Sequence, residues 1–188
     1  MKLQKWGLMK LNLGAGNDIR SDFVNHDVAD IAGIDIVHDL NSYPWPWQDD
    51  SFDVVLAMDV LEHLDDFVRA MEEIHRILKF NGLVTIRVPY WNHSCAYIDP
   101  THKRGYHERT FDFFDINSNY YKKRSYYSSA RFTIINSVFI LDIGYPHFSI
   151  PRLGLINVRR VISRKIIGFI GTYIPNIIAD VEIEMRKV

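Results

Sequence analysis

The sequence predicts an α/β domain with a doubly wound, mostly parallel sheet, and three observations carry the prediction. A short apolar strand, Lys10–Leu13, breaks into Gly14-Ala15-Gly16, a pattern that lets the backbone turn tightly and approach a bound group. The run Phe52–Met58 is nearly all apolar, as a strand buried on both faces should be. Behind it, apolar residues at helical spacing lead into a second apolar run, the signature of a parallel βαβ unit. Acidic residues at Asp27 and Asp39 follow the glycines at distances that suit a nucleoside-binding enzyme.

The elements follow in order. Lys10–Leu13 is the first strand, Phe23–Asp27 a short second and Ile34–Val37 a third. Only about nine residues separate Gly14 from Phe23, so the helix that ordinarily follows the first strand must be very short or absent. Phe52–Met58 is the fourth strand. Asp65 is placed to cap the next helix, whose Phe67, Met71, Ile74 and Leu78 share one face. Asn81-Gly82 offers the left-handed stop, and Leu83–Val88 forms the fifth strand, ended by Pro89. Tyr90 to Arg131 is long, aromatic and aperiodic, too large for a connector, and reads as a lid or substrate-binding insertion. Ile134–Asp142 and Ile177–Met185 complete a sheet of seven strands. The expected organisation is one domain, with a cofactor-binding half over 9–90, a lid insertion over 90–132, and terminal strands and a helix over 133–188.

A chain of 188 residues suits a single core. One cysteine, Cys95, excludes an internal disulfide framework and suits a reducing, cytoplasmic compartment. No apolar leader follows Met1 and no apolar run is long enough to span a bilayer, so neither a secretory signal nor a membrane span is expected. The net charge of −1 hides a division. Residues 1–100 carry 8 Lys/Arg against 16 Asp/Glu, and residues 101–188 carry 14 against 7. The second half is therefore suited to an anionic partner, unless its charges are simply solvated.

The loop chemistry narrows the cofactor. Asn17-Asp18 follow the glycines, and the third glycine position of a dinucleotide loop is Ile19. An acidic side chain there is poor company for pyrophosphate and good company for an ammonium or sulfonium ion. Asp27, ending the second strand, has two acceptor oxygens for two ribose hydroxyls. Asp39-Leu40, ending the third, offers a carboxylate to the adenine amino group and an amide to its ring nitrogen.

On these residues the chain resembles the class I S-adenosylmethionine-dependent methyltransferases of the type-11 kind. The matching runs are Leu11–Asn17, Asp27, Asp39-Leu40, Pro44–Trp47 with Asp50–Asp53, Val60–His63 and Arg76–Leu83. The resemblance covers roughly residues 9–90. It implies a Rossmann-like seven-stranded sheet and S-adenosylmethionine as cofactor. The implied cofactor contacts are Asn12, Gly14, Ala15, Gly16, Asp27, Asp39, Leu40, Met58, Asp59 and His63, with the backbone near Gly14 and Met58 holding the methionine part. One departure stands out: many members have an acidic residue where this chain has Asn12, so Asp18 or Asp59 is expected to compensate. Asp99–Arg104 is similar to a small subgroup associated with bacterial polysaccharide and lipopolysaccharide pathways.

Methyl transfer from a sulfonium needs positioning and, for a hydroxyl acceptor, a base. The candidate bases are His63, His93, His102 and His107, with His102 and His107 in the insertion beside Asp99, Arg104, Glu108 and Arg109. His63 reads first as a packing residue that caps the next turn, and the titratable groups around His102 and His107 make the insertion the preferred acceptor site. Asp99, His102, His107 and Glu108 match a metal-ligand spacing only loosely, and no metal is expected. Trp45 and Trp47 read as core, with one edge near the base.

The Asp/Asn-Pro-Pro-Tyr/Phe run of amino methylation of bases is missing, so an exocyclic amine of DNA is not the expected acceptor; the subgroup resemblance implies a hydroxyl on a saccharide or glycolipid. Nucleic acid is an unfavoured partner, although Tyr120–Tyr127, basic and aromatic, suits stacked bases, sugar rings or a solvated loop alike. The alternatives are an RNA-directed methyltransferase and a cofactor-binding partner protein without activity. Residues 153–178, apolar with Arg and Lys interspersed, either pack on the sheet or a second copy of the chain, or lie on an anionic membrane surface.

Overall fold

The computed structural model describes residues 7–141, 156–158 and 161–188, with the side chains of 156–158 and 161–164 left aside. Asp142, at the end of the expected sixth strand, lies outside the described residues, as does much of the front of the 153–178 segment.

One mixed sheet organises the chain. Its strands are β1 (Lys10–Leu13), β2 (Val24–Asp27), β3 (Ile36–Val37), β4 (Phe52–Met58), β5 (Leu78–Pro89), β6 (Phe132–Leu141), β7 (Ile156–Val158) and β8 (Ile178–Lys187). The order across it is β3-β2-β1-β4-β5-β8-β6-β7. The first five in that order are parallel, and β8, β6 and β7 are antiparallel to their neighbours. The expected seven strands are present, and the short β7 adds an eighth at the β6 edge. The order reverses between β1 and β4, the place where a doubly wound sheet opens a crevice at the carboxyl ends of its strands.

Between β1 and β2 the chain runs through turns with no helix, as its short length requires. Helix α1 (Phe67–Ile77) buries Phe67, Ala70, Met71, Ile74 and Ile77. Its cap is Asp66, not Asp65: the Asp66 carboxylate accepts from the Arg69 amide at 3.0 Å. The helix also ends sooner than its periodicity suggests. Leu78 already has extended backbone and opens β5. Asn81, at φ 62°, therefore turns the chain within the irregular start of β5, where the register against β4 jumps from Phe52–Leu78 to Val54–Leu83.

The insertion after β5 is anchored in the core. It contains α2 (Cys95–Ile98) and α3 (Asn119–Arg124), and it sends Tyr106, Phe111 and Phe114 against Phe67 of α1, with ring centroids 5.0, 5.8 and 5.6 Å away. The Tyr106 hydroxyl donates to the Leu61 carbonyl at 2.9 Å. These contacts pin the insertion to the turn after β4, which fixes one wall of the site. Helix α4 (Val161–Tyr173) precedes β8, and no helix among the described residues is long and apolar enough to cross a membrane.

Candidate active site

A cleft of about 460 Å³ opens at the carboxyl ends of β1, β2 and β4, within the usual range for a small-molecule site. Gly14, His26, Asp27, Asp39, Leu40 and Asp59 line it, and His63 and Thr101 stand on the far wall. Its charged lining residues are carboxylates, with neither Lys nor Arg among them, so the cleft favours a cationic ligand.

Gly14 shapes the floor. It sits at φ +60°, and a Cβ there would stand 2.4 Å from Val60 Cγ2. Only glycine lets the backbone pass this close to the turn after β4. Asp27 is tied to the same loop: one carboxylate oxygen accepts from the Gly16 amide at 2.8 Å and the other from the Ala29 amide at 2.9 Å. Each oxygen keeps a lone pair for a ligand hydroxyl. Asp39 holds its turn by accepting from the Asn41 amide at 2.9 Å.

His26 went unread in the sequence, yet it is a buried residue of the cleft wall. One ring nitrogen faces the His38 carbonyl at 2.9 Å, and the other lies 3.4 Å from the Gly14 amide. That pair of partners assigns a neutral ring with Nε2–H donating and Nδ1 accepting, and burial lowers its pKa accordingly. The available signal was its place next to Asp27 at the end of β2. His38, Asn41, Val60, Leu64 and Thr101 also line the cleft without having been expected to.

The remaining expected cofactor residues lie around this cleft, not in its wall. Asn12 is buried and gives its amide to the Asp18 carbonyl at 2.9 Å, which ties the strand to the loop. Ala15, Gly16 and Met58 are absent from the lining. Neither acidic residue expected to compensate for Asn12 carries an unengaged charge: Asp18 pairs with Arg20 at 2.7 Å, and Asp59 pairs with Arg87. Trp45 and Trp47 are core, and Trp47 reaches the cleft only through His26, ring to ring at 5.2 Å.

The candidate bases divide. His63 and His102 meet edge to face at 4.7 Å. His63 Nδ1 lies 2.9 Å from Thr101 Oγ1, and that hydroxyl donates its proton to Asp99 at 2.6 Å. Thr101 therefore accepts from His63 Nδ1–H, which leaves the lone pair on His63 Nε2. Burial, reinforced by His102, keeps the His63 pKa low. His107 stands apart, beside Glu108 at 3.1 Å and stacked near Trp91. His93 is buried, its Nδ1 accepting from the Cys95 amide at 3.1 Å.

The parallel half-sheet, the crevice at its reversal point and the acidic cleft define a Rossmann-like α/β fold. Residues 22–86 match the family model described as a methyltransferase domain. A solved S-adenosylmethionine-dependent methyltransferase from Archaeoglobus fulgidus is similar over 96% of this chain and 87% of its own, at 17% identity and a TM-score of 0.61. Another from Thermotoga maritima covers 100% of this chain and 84% of its own, at 17% identity and a TM-score of 0.62. A third, from Mesorhizobium loti, covers 96% and 91% at 12% identity, with a TM-score of 0.54. No curated protein matches the chain. The structures establish the fold of the class I methyltransferases, and residues 22–86 are similar to a methyltransferase domain.

Proposed function

We propose that the protein methylates a hydroxyl of a saccharide or glycolipid acceptor, and that His63 takes the hydroxyl proton. The observation that carries this is the neutral His63 in the cleft wall, its Nδ1–H fixed by Thr101 and Asp99 and its Nε2 lone pair available.

The cleft suits S-adenosylmethionine on its own chemistry. Asp27 and Asp39 offer acceptors to ribose and base, their carboxylates favour a cation, and the passage at Gly14 admits no side chain. The cofactor supplies an activated methyl group on a sulfonium sulfur. His63 Nε2 would take the proton that the acceptor hydroxyl gives up when its oxygen is methylated. The protein's share is alignment and proton acceptance. His102, packed on His63, sets the ring's orientation.

Two surface features support the acceptor class. Tyr97 and Ile98 of α2 are 69% and 72% exposed, immediately before the Asp99–His102 turn, and a tyrosine face packs well on a sugar ring. Helix α4 exposes Ile166, Phe169, Ile170 and Tyr173, with Ile174 just beyond it, at the spacing of one helical face. An apolar stripe of this kind suits the interfacial region of a lipid layer, where a glycolipid acceptor resides.

Transfer of labelled methyl from S-adenosylmethionine to a panel of glycans and glycolipids tests the reading. Labelling of a hydroxyl acceptor that is lost in His63→Ala is the expected result. Labelling of amines or RNA alone would refute it.

A further inference from the structure

Glu62 is 1% exposed, and neither of its carboxylate oxygens has a hydrogen-bond partner. Leaving a buried carboxylate unpaired is costly, and nothing in methyl transfer by His63 makes use of it. Its surroundings do suggest a use. His63 and His102 each bring a ring nitrogen to it, and one ligand atom from each of the three residues lies within 4.8 Å of the others. His102 Nε2 is 4.0 Å from Glu62 Oε1, beyond hydrogen-bond reach, and the other ring nitrogen of His102 is buried without a partner.

We propose that Glu62, His63 and His102 bind a divalent transition-metal ion of the Zn²⁺, Co²⁺ or Mn²⁺ type at the edge of the cofactor cleft. One carboxylate oxygen and two imidazole nitrogens form a donor set of borderline softness, which suits these ions better than Mg²⁺ or Ca²⁺. The three ligands stand on two rigidly joined pieces of chain. Glu62 and His63 occupy the turn after β4, and His102 follows α2; the Lys103 amide donates to the Glu62 carbonyl at 2.7 Å and locks the two together. His63 is already held as metal-binding histidines usually are, its far N–H engaged by the Thr101–Asp99 relay. Metal bonds of about 2.1 Å require the ligand atoms to sit roughly 3.4 Å apart, so the side chains close in on the ion when it binds.

Three protein ligands leave coordination positions open. Where the proposed hydroxyl acceptor holds, its oxygen takes one of them, and the ion then lowers the hydroxyl pKa so that the proton leaves to solvent water, His63 serving as a ligand instead of a base. This last role rests on the proposed function. The site itself does not.

The test uses the full chain, freed of metal with a chelator and titrated with Co²⁺, while visible absorption reports the coordination and calorimetry the affinity. Tight 1:1 binding is expected, with Glu62→Gln and His102→Ala each weakening it by about tenfold to a hundredfold. Glu62→Gln keeps the shape of the buried side chain, so an unchanged thermal midpoint and unchanged S-adenosylhomocysteine affinity show that the fold and cofactor cleft survive. Absence of Co²⁺ binding at millimolar concentration, or variants that bind like the parent, would overturn the site. Methyl transfer to hydroxyl acceptors by protein that binds no Co²⁺ leaves the proposed function standing and removes the metal. Co²⁺ binding without any hydroxyl methylation does the reverse.

Discussion

The Asp27 carboxylate accepts a hydrogen bond from the Gly16 amide at 2.8 Å, so the acid that ends β2 is held by the loop that ends β1. The cleft-facing carboxylate is thereby a structural clasp. Asp27→Ala should weaken S-adenosylhomocysteine binding by about 1.5–3 kcal/mol, the scale of a lost hydrogen bond to a charged group. It should also lower the thermal midpoint, because the Gly16 and Ala29 amides lose their acceptor. Calorimetric titration beside thermal unfolding measures both, and unchanged affinity would remove Asp27 from the cofactor contacts.

Gly14→Ala should destabilise the protein by roughly 1–3 kcal/mol, from a positive φ and from overpacking against Val60. The two causes separate in a double mutant. Val60→Ala combined with Gly14→Ala should recover the steric part and leave the backbone part. Denaturant unfolding of the four proteins gives the coupling, and strict additivity would mean that the close approach carries no strain.

Thr101→Val removes the hydroxyl between His63 and Asp99 while nearly keeping its volume. His63 then loses the acceptor that fixes its tautomer. The turnover number should fall by about tenfold or more, and S-adenosylhomocysteine affinity should hold. A variant with the parent's turnover and pH–rate profile would show that the relay does not orient the base.

Burial holds the His26 pKa below its ordinary value of 6.5. The unfolded chain therefore takes up the proton first. This contribution to stability is complete above the unfolded value and is lost as pH falls through it towards the folded value. Protonation would also place a cation in a cleft that takes a cationic ligand. Stability and cofactor affinity should therefore both decline from pH 7.5 to 5.5, and His26→Asn should flatten the affinity profile. A profile that His26→Asn leaves untouched would assign the decline to another group.

The sequence was most legible where local chemistry and tertiary packing agree. β1 and β4 have the bounds their apolar runs suggest, because strands buried on both faces admit little else. The absent helix between β1 and β2 followed from chain length alone. Disagreement appears where two local signals compete. Asp65 and Asp66 both suit a helix cap, and the backbone places only the second within reach of the Arg69 amide. Leu78 continues the helical stripe of Phe67, Met71 and Ile74, but pairing with Phe52 draws it into β5. The aromatic residues of the insertion showed no period because they pack against α1 from irregular chain.

Local sequence carried the strand–helix alternation, the glycine passage and the carboxylates at the end of β2 and just beyond β3, since each depends on spacing within a short stretch. Tertiary packing decided that His26, His38 and His63 stand in the cleft, that Asp59 is already paired with Arg87, and that Glu62 and His102 meet. Glu62 and His102 are 40 positions apart and Gly14 and His63 are 49, and their proximity is set by the order of strands in the sheet and by the anchoring of the insertion on Phe67 and Leu61. No local pattern encodes such a distance; the packing of the whole chain does.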